Sequence, residues 1–97
     1  MDKATVLRAL LKARPQLQAE GVTHVWLFGS VARDEATEAS DVDLFFDHDI
    51  PRFGVLEYVG LKQTAQEALP FKVDFIARSS LHRDLRPAIE ASAEQVF

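Results

Sequence analysis

The chain has no cysteine among its 97 residues, which excludes disulfides and thiolate-held metals and is consistent with a reducing cytosol. No apolar run approaches the ~18 residues that a membrane span requires, so no membrane partner is expected. The start, Met1-Asp2-Lys3-Ala4, lacks the long apolar core of a secretory signal, and the expected location is cytoplasmic. Basic charge is also scarce: 11 Lys and Arg stand against 15 Asp and Glu, a net charge of −4. Affinity for phosphate backbones comes mainly from clustered Lys and Arg, so no stable nucleic-acid binding is expected. Arg83 and Arg86 form only a small basic cluster near the end.

What is present suits one domain over residues 1–97. Hydrophobic residues make up 47% of the chain, enough for one core but leaving little for a second. The 27% charged fraction reads as globular and not disordered.

Apolar residues Val6, Leu7, Leu10, Leu11 and Leu17 recur every three to four positions, which predicts an amphipathic first helix. Pro15 is expected to kink or end it early, and Gly21 to stop it. The run His24 to Phe28, closed by Gly29, reads as a buried strand. Ser30 to Arg33 predicts a short helix with Ser30 as its N-cap. Asp34 to Ser40 reads as a loop, and Asp41 to Phe46 as a second strand. Phe53 to Leu69 has helical spacing, Phe71 to Ala77 alternates like a third strand, and a last helix is expected from Ser79 or Ser80. The order α-β-α-β-α-β-α predicts an α/β or α+β layer, with about four helices on a short three-stranded sheet.

Asp is disfavoured inside strands, yet Asp41 and Asp43 open the second one, two apart and therefore on one face. Carboxylates about 7 Å apart along a strand repel unless a cation lies between them. Asp74 interrupts the third strand similarly, and if the strands are neighbours three carboxylates can converge. An oxygen-rich cluster without His or Cys suits Mg²⁺ or Mn²⁺ better than zinc. Each aspartate alone has an ordinary reading: Asp41 capping a turn, Asp74 facing solvent on an edge strand. The pair at alternate positions with a third on another strand shifts the balance toward a metal site.

Gly29-Ser30 follows a strand, where glycine permits close backbone approach to a ligand and a helix turn offers N–H groups to an anion. Alone it is a weak signal. Arg33 in a first helical turn opposes the helix dipole unless an anion binds there, or unless Asp34 and Glu35 offset it in a surface ion pair. Trp26 and Phe28 are expected in the core, and Asp47 and Asp49 as turn formers beside Pro51. His24, His48 and His82 have no ligand spacing. The apolar tail with Leu81, Leu85, Ile89, Val96 and Phe97 reads as core or as a partner or dimer interface.

Gly29-Ser30-Val31-Ala32-Arg33 followed by Ser40-Asp41-Val42-Asp43-Leu44 resembles the GSxAR…SDxDL signature of the DNA polymerase β-like nucleotidyltransferase superfamily. The short chain and the Val73-Asp74 strand make it similar to the minimal nucleotidyltransferase branch. One departure is visible: members often carry Gly after the signature Arg, where this chain has Asp34.

The resemblance implies a short mixed sheet backed by helices and a two-metal site that transfers a nucleoside monophosphate. Asp41 and Asp43 would hold Mg²⁺, and Asp74 would complete the site beside the acceptor as ligand and base. Gly29 and Ser30 would grip phosphates of ATP, Arg33 would lend charge, and Ser40 would orient the start of the strand. It also implies a partner, a HEPN-domain ribonuclease toxin encoded by an adjacent gene, with this chain as an antitoxin that adds AMP to a toxin tyrosine. Two other readings stay open: an antitoxin that only binds and blocks, and a subunit that modifies a small molecule or RNA with a separate substrate-binding protein.

Overall fold

The computed structural model describes residues 2–37 and 39–97; Met1 and Glu38, the latter within the expected loop Asp34 to Ser40, lie outside the described residues. The elements are α1 (Lys3–Ala19), β1 (Val22–Phe28), α2 (Gly29–Ala32), β2 (Val42–His48), α3 (Val55–Ala68), β3 (Val73–Ala77), a 3₁₀ turn (Arg78–Ser80), α4 (Arg86–Ser92) and β4 (Glu94–Gln95).

α1 begins where the Asp2 carboxylate accepts the Thr5 amide at 2.8 Å, an N-cap bond. Val6, Leu10, Ala13 and Leu17 are its buried residues, and their spacing places them on one face. The helix runs through Pro15 to Ala19, so it does not end early there. Pro15 and Leu11 are both exposed, so water can take the Leu11 carbonyl that a proline cannot serve. Burying Leu17 fully contributes about 1.5–3 kcal/mol. That is comparable to the ~3 kcal/mol by which an interior proline disfavours a helix. Gly21, at φ 105°, ends the segment as expected.

The sheet has the order β3-β2-β1-β4. β1 is antiparallel to β2 and to β4, while β2 and β3 are parallel and joined by the α3 crossover. Alternation sorts the side chains by face. Val25, Leu27, Val42, Leu44, Phe46, Val73 and Phe75 join the main core with α1, Leu61 and Ala65. The rings of Phe46 and Phe75 stack there at 4.3 Å.

The opposite face carries Asp43, Asp74 and a smaller aromatic layer. Trp26 stacks on Phe45 at 5.0 Å, Phe28 tilts against Phe45, and the Arg78 guanidinium lies 4.2 Å over Trp26. Trp26 and Phe28 are therefore half-buried on this second face and outside the main core.

Three further expectations change. The sheet has four strands, because Glu94–Gln95 pairs with Trp26 and Leu27; two residues carry no readable period. Ser79 and Ser80 lie in the 3₁₀ turn, and α4 starts only at Arg86, where Pro87 suits a first helical turn. Leu81 is buried in the intervening segment while Leu85 is exposed. No helix among the described residues is long and apolar enough to cross a membrane.

Candidate active site

Strand pairing assembles the site. Phe28 stands opposite Asp43 across β1 and β2, and Asp43 stands beside Asp74 across β2 and β3. The chain then turns at Gly29, whose φ of 76° is in the left-handed region. Its missing side chain matters, because a Cβ there would overlap the Asp43 carboxylate. Glycine thus lets the backbone lie directly against an acidic group.

α2 is a single turn anchored by buried Val31. Its cap lies two residues earlier than expected, at Phe28, so Ser30 sits inside the turn. Arg33 closes the turn and pairs with Glu35 at 3.1 Å. This is the surface ion pair that the sequence left open. Asp34 has φ 57°, the conformation a glycine adopts at no steric cost and the position where related signatures carry one. Asp34→Gly is expected to stabilise the fold by up to about 1 kcal/mol, with nucleotidyl transfer unchanged. Thermal unfolding of the two proteins checks this.

Asp43 is half-buried at the centre. Burial raises its pKa, and the charges of Asp74 and Asp41 raise it further, while Arg33 acts in the opposite sense. That pattern identifies an under-compensated negative cluster. Asp41 lies just before β2, exposed, with Lys72 Nζ 3.9 Å from its carboxylate. Ser40 closes the preceding turn: its Oγ accepts the Thr37 amide at 2.9 Å, and its own amide donates to the Thr37 carbonyl.

The three carboxylates are grouped but not closed on one point. Among the described residues no three His, Cys, Asp or Glu side chains are placed to enclose a metal ion. The donor set is all oxygen and its charge is only partly offset by Lys72 and Arg33, which fits a hard divalent cation once Asp41 leaves Lys72. A groove of about 550 Å³ adjoins Asp41, lined by Thr5, Ser40, Phe71 and Lys72 among others.

Other contacts fell outside the sequence reading. Asp47 is a β2 residue, not a turn former, and Arg78 grips it through two bonds of 3.0 and 3.1 Å. Arg78 also donates to Glu90 at 2.7 Å, and Arg86 donates to the same carboxylate. The cavity of about 450 Å³ beside this clasp lies at the far end of the strands from Asp43, and its charges are internally paired. Tyr58 donates its hydroxyl to the Phe75 carbonyl at 2.6 Å. Both burial and the Asp74 charge raise its pKa.

A mixed sheet backed by helices, with a glycine turn against a carboxylate and two more acids beside it, defines the polymerase β-like class of nucleotidyltransferases. The model of the nucleotidyltransferase domain family matches residues 7–95, and the chain belongs to that family as a nucleotidyltransferase enzyme. A Methanocaldococcus jannaschii protein described as a candidate protein adenylyltransferase is 34% identical over 97 residues, covering 98% of this chain and 95% of the relative. The protein adenylyltransferase MntA of Thermococcus cleftensis is 39% identical over 62 residues, 63% of this chain and 61% of that one. A solved structure described as a candidate minimal nucleotidyltransferase superposes with a TM-score of 0.76 at 37% identity, covering 97% of this chain and 95% of its own. A chain from a toxin-antitoxin structure with AMP-PNP shares the fold, with a TM-score of 0.72 at 20% identity over 90% of this chain and 71% of its own.

Proposed function

We propose that this protein is a cytoplasmic, Mg²⁺-dependent protein adenylyltransferase that serves as the antitoxin of a HEPN-domain toxin, moving AMP from ATP to a toxin tyrosine. The observation that carries the reading is Asp43 set in register beside Asp74 with Gly29 packed on its carboxylate. It occurs in a chain 34–39% identical to relatives named as protein adenylyltransferases.

In this reading Gly29 and Ser30 hold the β- and γ-phosphates, and Arg33 turns from Glu35 toward them. Asp41, Asp43 and Asp74 supply the ligands for magnesium, which when bound neutralises charge on the α-phosphate and on pyrophosphate. The acceptor oxygen forms its bond to the α-phosphorus as the bond to the bridging oxygen breaks and pyrophosphate departs. The Asp74 carboxylate accepts the proton of the tyrosine hydroxyl. Positioning and electrostatics supply most of the rate. A partner also needs a surface to grip, and α3 leaves Val55, Leu56 and Val59 exposed.

Incubation with ATP, Mg²⁺ and the HEPN-domain product of an adjacent gene tests the reading. The expected result is a mass increase of one AMP on a toxin tyrosine, with loss of its ribonuclease activity, and neither with Asp41→Asn. Tight binding without modification, equal for both proteins, would sink catalysis in favour of simple blocking. Transfer to RNA or a small molecule instead would sink the toxin acceptor.

A further inference from the structure

β3 carries Asp74 and is an outer strand of the sheet, so one row of its backbone groups faces no neighbouring strand. α3 supplies the missing partners with two side chains. The Gln66 amide behaves as a short piece of strand: Nε2 donates to the Phe71 carbonyl at 2.7 Å, and Oε1 accepts the Val73 amide at 3.1 Å. About two turns earlier on the helix, Tyr58 donates to the Phe75 carbonyl at 2.6 Å. Val73 and Phe75 are the two chain neighbours of Asp74. The third carboxylate therefore sits between two side-chain bonds on the outer edge, while its other edge pairs with β2 in register with Asp43.

This placement has a physical reason beyond covering an edge. Asp43 and Asp74 stand side by side across the ladder, where two like charges would repel and load the outer strand. Nothing beyond β3 in the sheet opposes that push. We propose that Tyr58 and Gln66 are positioning residues that hold Asp74 in register with Asp43 for nucleotidyl transfer. The inference deepens the functional reading above and rests on it. It also accounts for the single tyrosine: its hydroxyl is committed to a backbone carbonyl, which makes it a strut and not an AMP acceptor.

Edge protection alone would show as stability. Positioning shows in the chemical step, because a misplacement of about 1 Å lowers rate by up to ~10²-fold. Wild type, Tyr58→Phe and Gln66→Glu are compared for Tm, Mn²⁺ affinity without nucleotide, KM for ATP, and kcat with the toxin as acceptor. Tyr58→Phe keeps the ring and removes only the hydroxyl. Gln66→Glu keeps the acceptor for Val73 and removes the donor to Phe71. Both variants are expected to keep Tm and KM near the wild-type values, lower kcat about tenfold or more, and bind Mn²⁺ severalfold more weakly. Unchanged kcat would overturn the inference, and so would losses of kcat that simply follow losses of Tm. If the wild type itself transfers no AMP, the functional reading fails and the Mn²⁺ titration decides alone. Equal Mn²⁺ affinity in all three proteins would then refute the clamp, and weaker binding by both variants would sustain it.

Discussion

Asp43→Asn is expected to abolish nucleotidyl transfer, by on the order of 10³-fold or more, while raising the melting temperature of the ligand-free protein at neutral pH. The two effects have one origin. Asp43 is half-buried with Asp74 beside it and Asp41 two residues away, and all three influences that dominate its pKa favour the protonated form. A carboxylate whose folded pKa lies above its unfolded value binds more protons in the folded state between those two values. Stability therefore falls as pH rises through that window and stays lower above it. Burial and the two neighbouring charges disfavour the ionised form of this group in the ligand-free protein. The asparagine amide removes the charge, keeps the shape, and can donate to Asp74. The pH dependence of Tm between the ordinary aspartate range and neutrality should flatten in the variant. Thermal unfolding from pH 4 to pH 7 checks this, alongside AMP transfer at fixed Mg²⁺. Added Mg²⁺ should raise the Tm of the wild type and do so much less in the variant, because the ion relieves the same repulsion. A variant that melts lower than wild type at pH 7 would show that Asp43 is structurally satisfied as it stands.

The carboxylate face was legible because it breaks local rules. Aspartates at alternate positions of an apolar run have few ordinary uses, and period-2 geometry turns Asp43 away from the core side chains Val42 and Leu44, whereas Asp41, expected to open the strand, lies just before β2. The step to Asp74 required only that β2 and β3 be neighbours, which the α3 crossover secures. Features made by distant pairing were not legible. Arg78 meets Asp47 across 31 positions and Tyr58 meets Phe75 across 17, and neither partner carries a local signal. Position within a turn was equally hidden. Moving the cap of α2 by two residues, from Ser30 to Phe28, takes Ser30 into the interior of the first turn. β4 escaped for a different reason: Glu94 and Gln95 pair with Trp26 and Leu27 only because β1 offers them an unpaired edge. The departure at Asp34 could be seen in sequence, but its consequence, a left-handed residue without glycine's freedom, needed the backbone.

Gly29→Ala should impair the protein in both respects, lowering transfer by about 10²-fold and destabilising the fold by about 1–3 kcal/mol. Two terms add. An alanine at φ 76° is disfavoured by roughly 1–2 kcal/mol on backbone grounds alone. The second term is contact, since the new Cβ would overlap an Asp43 oxygen and come within 3.1 Å of its Cγ and 3.2 Å of its Cβ. The carboxylate end can swing away more readily than the strand can move, so the strain is relieved mainly by displacing Asp43. That relief removes Asp43 from the place where it meets Asp74 and the glycine turn. Activity is therefore expected to fall further than the stability loss alone implies. The contrast with Asp43→Asn separates steric from electrostatic contributions: one substitution lowers Tm and activity together, while the other moves them in opposite directions. A double-mutant cycle isolates the contact. With Asp43→Ala already in place, the oxygen and Cγ are gone, and Gly29→Ala should retain its backbone term and only the 3.2 Å contact with the Cβ of residue 43. If Gly29→Ala is equally destabilising with and without the Asp43 carboxylate, the glycine serves the turn alone and its closeness to the acid is incidental.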